Sequence, residues 1–503
     1  MREWYQNIRN RHCVRPRRET TLAPLGGQDL DGRPVDGKAA EDLGRVPTGA
    51  LATYAFTTFP ISLVNLPINI VLPSYYVQNT ATSLAQIGAV SFFARAFDAA
   101  ADPLVGYFSD RLDTRWGRRK PWVLAGSLVC AGAILFLFSP PRTATILYYT
   151  LACFAFYVGY ALFDVPTKAW GSEMSRHYLE RSRIATFLTV ASVLGAFGFW
   201  LALIVQVPFT HSTELNPEVF RAIARCDAFA LPIVALLALY WVPRGEFVGS
   251  GTPSLTDLVH AVRSNRLLWR FCTIVGFLQL GNGISSSVFY IFVTGYLQLG
   301  RQFAFFMLAY FAVQVSTLPV WFKVLRRFGK HRPGAVSWIL SAVIPTTLFF
   351  IRPGPGALWP ALGLTIVLAA IAGGGQVVPI AMLGDIVDYD MLKTGVNRAG
   401  NFFAIQNVLF KLCMGAGLGI GLPLVAAFGY RSGVAAVGRV KLGLMIAYVI
   451  LPGVLQLIAA AFAWGFPLDA RRHEIVRRRI AQRAHRAGRA TATGPMAATA
   501  PPA

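Results

Sequence analysis

Charged residues are scarce in this sequence, and their scarcity excludes an ordinary soluble protein. Only 14% of the 503 residues are Asp, Glu, Lys or Arg, whereas a soluble domain carries roughly 25% because water must hydrate its surface. Hydrophobic residues make up 54% of the chain, and the mean hydropathy is +0.49. Length alone would suggest several soluble domains, but this composition predicts a membrane protein instead.

Cysteines and catalytic motifs are also few. Four of the six cysteines fall inside apolar runs, and none has a spacing typical of a disulfide framework or a zinc site. No phosphate-binding glycine loop, zinc-protease motif or nucleophile elbow occurs in a suitable context. We therefore expect no enzymatic activity and no cofactor.

Apolar segments long enough to cross a bilayer recur along the chain, separated by short polar loops. We predict twelve, at 49–77, 83–109, 121–138, 144–170, 184–206, 224–242, 268–298, 302–322, 333–351, 357–384, 399–428 and 442–466. The predicted units are a polar N-terminal arm at 1–48, six-helix bundles at 49–242 and 268–466, a connecting loop at 243–267 and a basic tail at 467–503. We expect both terminal arms to be largely disordered or to lie on the membrane surface, with a short basic helix over 469–489 as an alternative for the tail. The fold class predicted is an all-α integral membrane protein of two six-helix halves.

Acidic residues are scarcer than basic ones: 24 Asp and Glu against 47 Lys and Arg give a net charge of +23. The termini and the loops on their side carry 36 of the 47 bases, and the opposite loops carry 8, when bases at helix ends are counted with the adjacent loop. By the positive-inside rule, this asymmetry predicts a cell (inner) membrane protein with both termini in the cytoplasm. Membrane insertion and anionic lipid account for the excess of bases, so no nucleic-acid partner is expected.

Two basic loops indicate an internal duplication. The loops after the second and eighth predicted spans each contain an aromatic–glycine pair, ending at Gly117 and Gly329, shortly before the proline that opens the next span. Such symmetry is typical of transporters built from two similar halves. The alternative is that any two cytoplasmic loops are basic.

Six charged residues remain well inside the predicted spans, once those near span ends are set aside. They are Arg95, Asp98, Asp102, Asp164, Lys168 and Lys411. A charge at the bilayer centre costs about 2.5–3.5 kcal/mol even on lenient scales, so we expect the six to converge and neutralise one another. An acid held beside bases in a wet cavity is able to bind and release a cation or a proton. Purely structural salt bridges are the alternative, although buried ion pairs are poor sources of stability.

The spacing of these residues supports convergence. Arg95, Asp98 and Asp102 stand at i, i+3 and i+7, on one face of a helix. Asp164 and Lys168 stand at i and i+4, and Lys411 must find its partner on another helix.

The residues from Arg95 to Trp122, RAFDAAADPLVGYFSDRLDTRWGRRKPW, resemble the signature of the glycoside–pentoside–hexuronide:cation symporters, a branch of the major facilitator superfamily that includes the melibiose permease. The similarity continues through DVP, GDIVDYDMLKTG and AIQNVLFK, which begin at 164, 384 and 404. The resemblance implies a major facilitator fold. It also implies a coupling-cation site at Asp98 and Asp102, a sugar-binding role for Asp164, and a link between the halves at Lys411.

Two departures from the melibiose-type pattern concern the coupling ion. Ala101 stands where that pattern has Asn, and Ala161 stands where it has Thr. Both replaced residues supply oxygen to sodium, a hard cation that needs several oxygen ligands. The departures favour coupling to H⁺, while Na⁺ at Asp98 and Asp102 remains the alternative.

The solute is expected between the halves, near Tyr160, Asp164, Lys168, Gln406 and Asn407. Lys168 replaces a tryptophan of the melibiose-type site, and either binds an anionic substrate such as a uronate or neutralises Asp164. The sequence thus predicts a secondary active transporter, monomeric by default for this architecture, that couples entry of a glycoside, sugar or sugar acid to a cation. The alternatives are transport of an anionic amphiphile such as a lysolipid, and a non-transporting membrane sensor.

Overall fold

A computed structural model describes residues 46–482 except 81, 113, 176–177, 206–216, 245–264, 396–397, 432, 435, 469–471, 477 and 481. The predicted N-terminal arm and most of the connecting loop lie outside the described residues, as does the end of the tail. The described part is helical throughout, with no strand in the ranges just given.

Twelve long helical segments follow one another along the described chain. In the first half they are α1 (Thr48–Phe56, Thr58–Ile70 and Leu72–Asn79), α2 (Leu84–Arg111), α3 (Lys120–Phe138), α4 (Ile146–Glu173), α5 (Tyr178–Val205) and α6 (Pro217–Trp241). In the second half they are α7 (Arg266–Ile291, extended by Phe292–Tyr296), α8 (Phe303–Phe328), α9 (His331–Val343, extended by Ile344–Phe350), α10 (Leu358–Thr394), α11 (Ala399–Ala427) and α12 (Arg439–Met445, Ile446–Ile450 and Leu451–Trp464).

Eleven of these segments are long and apolar enough to cross a membrane. The exception is α2, which has 28 residues and carries Arg95, Asp98 and Asp102 along its middle. Its length suffices for a span. Because it carries three charged residues, it needs partners for them on other helices. The predicted series of twelve spans therefore matches the twelve helical segments.

α1 is interrupted at Thr57 and Val71, and each interruption shortly precedes a proline. Pro60 and Pro73 lie in the first turn of the segments that follow. A proline ring clashes with the carbonyl four residues earlier and offers no N–H, so a continuous helix is disfavoured there. Proline in the first turn of a new segment avoids both penalties.

The two halves meet near the end of the bundle that carries the α1–α2 and α7–α8 connections. One continuous apolar core runs along the N-terminal half and at this end also includes residues of the C-terminal half. Its members at this end include Tyr76, Phe138, Phe220, Tyr296 and Phe303. A second core belongs to the C-terminal half alone and lies toward the end that carries the termini, around Leu268, Phe271 and Phe466. The halves are therefore packed together at one end of the molecule.

At the end that carries the termini, ion pairs join helices of the same half. Arg119 lies 2.5 Å from Asp110 and 2.6 Å from Glu173 in the N-terminal half. Lys330 lies 2.5 Å from Asp385 in the C-terminal half. Each base follows closely after a glycine with positive φ, +103° at Gly117 and +83° at Gly329, a conformation that favours glycine. These matching turns support the duplication that the two basic loops indicated.

The tail that follows α12 forms a short helix where it is described. Residues 472–476 and 478–480 are helical. Val476 is buried and Ile480 packs against the core of the C-terminal half. His473 lies 3.2 Å from Asp385 and 2.9 Å from Asp388. The apolar spacing of Val476 and Ile480, one helical turn apart, explains the packing.

Candidate functional site

The centre of the molecule is a charged face of α2 at the boundary between the halves. Asp98 is fully buried at 0% exposure, and Arg95 and Asp102 are also buried. Their i, i+3 and i+7 spacing places all three on one side of the helix, as the sequence predicted. Arg95 Nη1 lies 3.6 Å from Asp98 Oδ2, which leaves Asp102 without a cation from its own helix.

Lys411 on α11 supplies the missing charge from the other half. Its Nζ lies 2.7 Å from Asp102 Oδ2 and 3.0 Å from Asp98 Oδ1. The side-chain amide of Asn407, one turn away, donates to Asp102 Oδ2 at 3.2 Å. One lysine thus bridges two carboxylates across the interface between the halves.

Glycines allow this bridge to form. A Cβ on Gly415 would lie 2.6 Å from the Cβ of Arg95, and a Cβ on Gly417 would lie 2.6 Å from the Cα of Gly283 on α7. α11 therefore approaches α2 and α7 more closely than any larger residue would permit. Since Lys411 stands one turn from Gly415 on the same face, the close approach brings its ammonium to the α2 carboxylates.

Arg95 is held from the opposite side by residues that the sequence analysis did not select. Its Nη2 donates to Asn69 Oδ1 on α1 at 2.8 Å, and its guanidinium lies 4.8 Å from the centre of the Tyr157 ring on α4. Tyr157 shares a helical face with Asp164, at i and i+7, and that spacing could have identified it. Nothing in the first apolar run singles out Asn69.

A second pair lies one helix away. Lys168 Nζ donates to Asp164 Oδ2 at 2.7 Å, and the Lys168 side chain is 64% exposed against 16% for Asp164. Asp98 and Asp102 lie within electrostatic range of the Lys168 ammonium. Lys168 therefore lies on the side of α4 that is nearer to the charged network.

The other predicted site residues divide into two groups. Tyr160 joins the network, because the Lys411 ammonium lies 5.6 Å from the centre of its ring, and Asn407 bonds to Asp102 as described. Gln406 is half-buried, and no hydrogen bond joins it to the described charges. Among the predicted substrate-binding residues, Gln406 is the one that no described contact joins to the charged network.

The inventory of buried acids was incomplete at Asp227. The predicted sixth span begins at residue 224, which places Asp227 near one of its ends, but α6 begins at Pro217. Asp227 is therefore near the middle of α6, where it is 4% exposed and its Oδ2 has no hydrogen-bond partner in the described part of the chain. A fourth acid lies at membrane depth, away from the charged face of α2.

The carboxylates of the network have acceptor positions that no described hydrogen bond occupies. Asp102 Oδ1 is buried and accepts no hydrogen bond from any described residue. An ionised carboxylate has about four acceptor positions, and a low-dielectric site strongly penalises leaving them empty. The network is therefore able to take up a proton or another cation in place of the lysine ammonium.

Known proteins similar to this chain are membrane transporters. The family model described as MFS/sugar transport protein matches residues 53–470. The symporter YjmB of Bacillus subtilis is 24% identical over 79% of this chain and 87% of its own length. A glucuronide carrier protein homolog of Escherichia coli is 23% identical over 80% and 89% of the two chains. A sodium-dependent lysophosphatidylcholine symporter of Danio rerio is 21% identical over 84% and 87%.

Solved structures agree on the fold. The nucleoside transporter NupG superposes with a TM-score of 0.60 at 16% identity, over 83% of this chain and 99% of that one. A bacterial homolog of the lysosomal transporter Spinster superposes with a TM-score of 0.55 at 14% identity, over 86% and 96%. The chain belongs to the MFS/sugar transport protein family and is a multi-pass secondary transporter of the symporter type, with the major facilitator fold.

Proposed function

We propose that this protein is a symporter that couples entry of a glycoside, sugar or sugar acid to a cation, with H⁺ favoured over Na⁺. The observation that carries the proposal is the position of Lys411, whose ammonium bridges Asp98 and Asp102 between the two halves. Arg95 and Lys411 together balance the charges of the two acids. A proton or coupling cation that binds at Asp102 therefore competes with the Lys411 ammonium for the same carboxylate.

The lysine acts as an internal substitute for the cation. Contacts between α2 and α11 run from Gly88 against Pro423, through Arg95 against Gly415, to Asp102 against Lys411. The ionic bridge is thus at the inner limit of this series, beside the space that exposes Lys168. When a cation neutralises one of the acids, the lysine loses part of its attraction to α2 and this edge of the contact weakens.

Weakening of that contact supports alternating access. In the predicted topology both termini are in the cytoplasm. The packed end of the molecule then faces the outside of the cell, and Lys168 faces the cytoplasm. Loss of the bridge then allows the halves to rock apart at the packed end. The ligands shift this equilibrium only because they bind its two states unequally.

The donor set supports H⁺ rather than Na⁺. Ala101 and Ala161 supply no side-chain oxygen, and Asn407 offers Asp102 its N–H rather than its oxygen. Sodium requires several oxygen ligands, whereas a proton requires one carboxylate oxygen such as the unpartnered Asp102 Oδ1. The sodium-dependent relative in Danio rerio makes Na⁺ the alternative to test.

Lys168 supports an acidic sugar as the solute. Its exposed ammonium has Asp164 as its bonded partner and retains donors for a substrate carboxylate. The relative in Escherichia coli that is named a glucuronide carrier protein homolog agrees with an acidic sugar as the solute. Asp164 would accept hydrogen bonds from sugar hydroxyls beside it, and Tyr160 and Asn407 would line the same space.

An anionic amphiphile is a second candidate. Phe403 and Phe410 are 44% and 43% exposed, and they share a face of α11 with Asn407, which points to α2. Apolar rings beside the charged network would suit an acyl chain. The lysophosphatidylcholine symporter of Danio rerio is the relative that matches this alternative.

Uptake by proteoliposomes tests the proposal. Radiolabelled methyl β-D-glucuronide and a lysophospholipid serve as probes, each under an imposed pH gradient or an imposed sodium gradient. We expect glucuronide accumulation with the pH gradient and none with sodium at fixed pH. Accumulation driven by sodium alone overturns the choice of ion, and accumulation of the lysophospholipid alone overturns the choice of solute.

Asp102→Asn and Asp227→Asn form a matched pair of variants. Both replace a buried acid by its neutral isostere, but Asp227 lies outside the network. We expect Asp102→Asn to abolish accumulation and Asp227→Asn to retain it. Full accumulation by Asp102→Asn would show that coupling does not depend on this carboxylate and would contradict the proposal. Absence of any uptake by the unmodified chain would favour a sensor.

A further inference from the structure

A cavity in the C-terminal half lies apart from the charged network. It has a volume of about 420 Å³ and lies between the last turns of α8, the middle and end of α10, and the segment after α12. Ligand pockets in proteins fall at roughly 300–1,000 Å³. The cavity is therefore large enough for part of a ligand, and the transport mechanism does not use it.

The lining has an apolar part, here called the floor, and a basic part, here called the rim. The floor consists of Phe322, Leu325, Val377, Met382, Phe466 and Leu468. The rim includes Arg326, Lys330 and His473, with Asp385 as an acid among them. Asp385 is already paired with Lys330 and with His473.

Arg326 is the base that remains available. It is exposed in the last turn of α8, and it pairs with no acid in the ranges that the structure describes. Its neighbour Arg327 does not line the cavity and lies over the ring of Phe328, 5.4 Å from its centre. The side chains of the two arginines therefore point in different directions, although the residues are adjacent in sequence.

We infer that this cavity binds an anionic glycerophospholipid, with the phosphate at Arg326 and the start of an acyl chain on the apolar floor. A free phosphate ion would use the rim but gain nothing from six apolar side chains. A zwitterionic lipid would bring a cation toward a rim that already has an excess of positive charge. Basic pockets between helices at a membrane surface are suited to anionic headgroups, and the cavity lies at the end of α8 and α10 that is nearer to the C-terminal tail.

Thermal unfolding of the purified full chain in detergent tests this inference. Phosphatidylglycerol, phosphatidylcholine and inorganic phosphate are titrated separately, because a ligand of the native state raises its stability by mass action. We expect phosphatidylglycerol to raise the Tm at lower concentration than phosphatidylcholine, and inorganic phosphate to have no effect. Equal effects of the two lipids, or an effect of phosphate equal to that of phosphatidylglycerol, would overturn the assignment.

Arg326→Gln and Arg327→Gln separate a specific site from general surface attraction. One base near an anionic lipid is worth about 1 kcal/mol, so we expect Arg326→Gln to weaken phosphatidylglycerol binding about fivefold, with Arg327→Gln unchanged. Ala381→Leu, which adds a side chain to the cavity wall, should weaken binding as well without removing charge. Equal losses in the two arginine variants would show diffuse attraction and contradict the site.

Discussion

Two of the contacts that join the halves are chemically different although they occupy related positions. α2 meets α11 through glycines and a buried ionic bridge. α5 meets α8 through aromatic rings, with Trp200 5.6 Å from Phe303 and Phe197 6.1 Å from Phe311 between ring centres. If the halves arose by duplication, these contacts are equivalent, because the second and eighth helices correspond and so do the fifth and eleventh.

The difference teaches how one contact is able to respond to an ion and the other is not. Aromatic packing depends on shape and does not change when a cation arrives. A lysine between two carboxylates depends on charge, and one bound cation alters its energy by several kcal/mol in a low-dielectric site. We therefore expect the α2–α11 contact to control coupling and the α5–α8 contact to seal the packed end.

Lys411→Ala should have the largest effect. It leaves Asp98 and Asp102 buried without their shared base, and removal of one partner of a buried pair costs about 3–5 kcal/mol. We expect a lower Tm, and we expect accumulation in proteoliposomes to fall to the background level. Addition of Asp102→Asn to this variant should restore part of the Tm but none of the accumulation. A single variant with normal uptake would show that the bridge is dispensable.

Gly415→Ala should disturb the same contact without changing any charge. The new Cβ would lie 2.6 Å from the Cβ of Arg95, so α11 must shift away from α2 and carry Lys411 with it. We expect an uptake rate about tenfold lower, as a change of about 1.4 kcal/mol produces. Gly363→Ala on α10 is the control, because no atom lies within 4 Å of its added Cβ. Equal rates in both variants would contradict the close-approach argument.

Trp200→Ala tests the aromatic contact. Trp200 is fully buried at 0% exposure, so its loss removes packing at the sealed end. We expect a severalfold slower turnover with an unchanged steady-state accumulation ratio, since the coupling residues remain intact. A changed accumulation ratio would show that the aromatic contact also participates in coupling.

Lys168→Gln should have the smallest effect on stability. The side chain is 64% exposed, and exposed ion pairs contribute about 0–1 kcal/mol. We expect a Tm close to that of the unmodified chain, together with a raised KM for an acidic sugar and an unchanged KM for a neutral one. An equal change in both KM values would indicate that Lys168 only positions Asp164.

Much of the fold was predictable because membrane spans leave strong signals in apolar length and loop charge. The charged residues of α2, α4 and α11 were predictable for a related reason: charges at membrane depth are rare. The partners of Arg95 were not, since Asn69 and Tyr157 are neutral and local sequence does not show which helix faces which. Asp227 was placed near the end of its helix because apolar residues mark the start of the membrane span, whereas the helix itself begins earlier, at Pro217.

The most direct test of the central claim is a distance between spin labels at Gln78 and Arg431, which lie in different halves at the packed end. The labels are placed in a chain whose cysteines are replaced by serine, and the distance is followed on acidification at fixed sodium. We expect a short distance that lengthens as the acids bind protons, and a distance independent of pH when Asp98→Asn and Asp102→Asn are combined. An unmodified network that shows no response, or a doubly neutralised one that responds equally, would contradict control of this contact by the coupling ion.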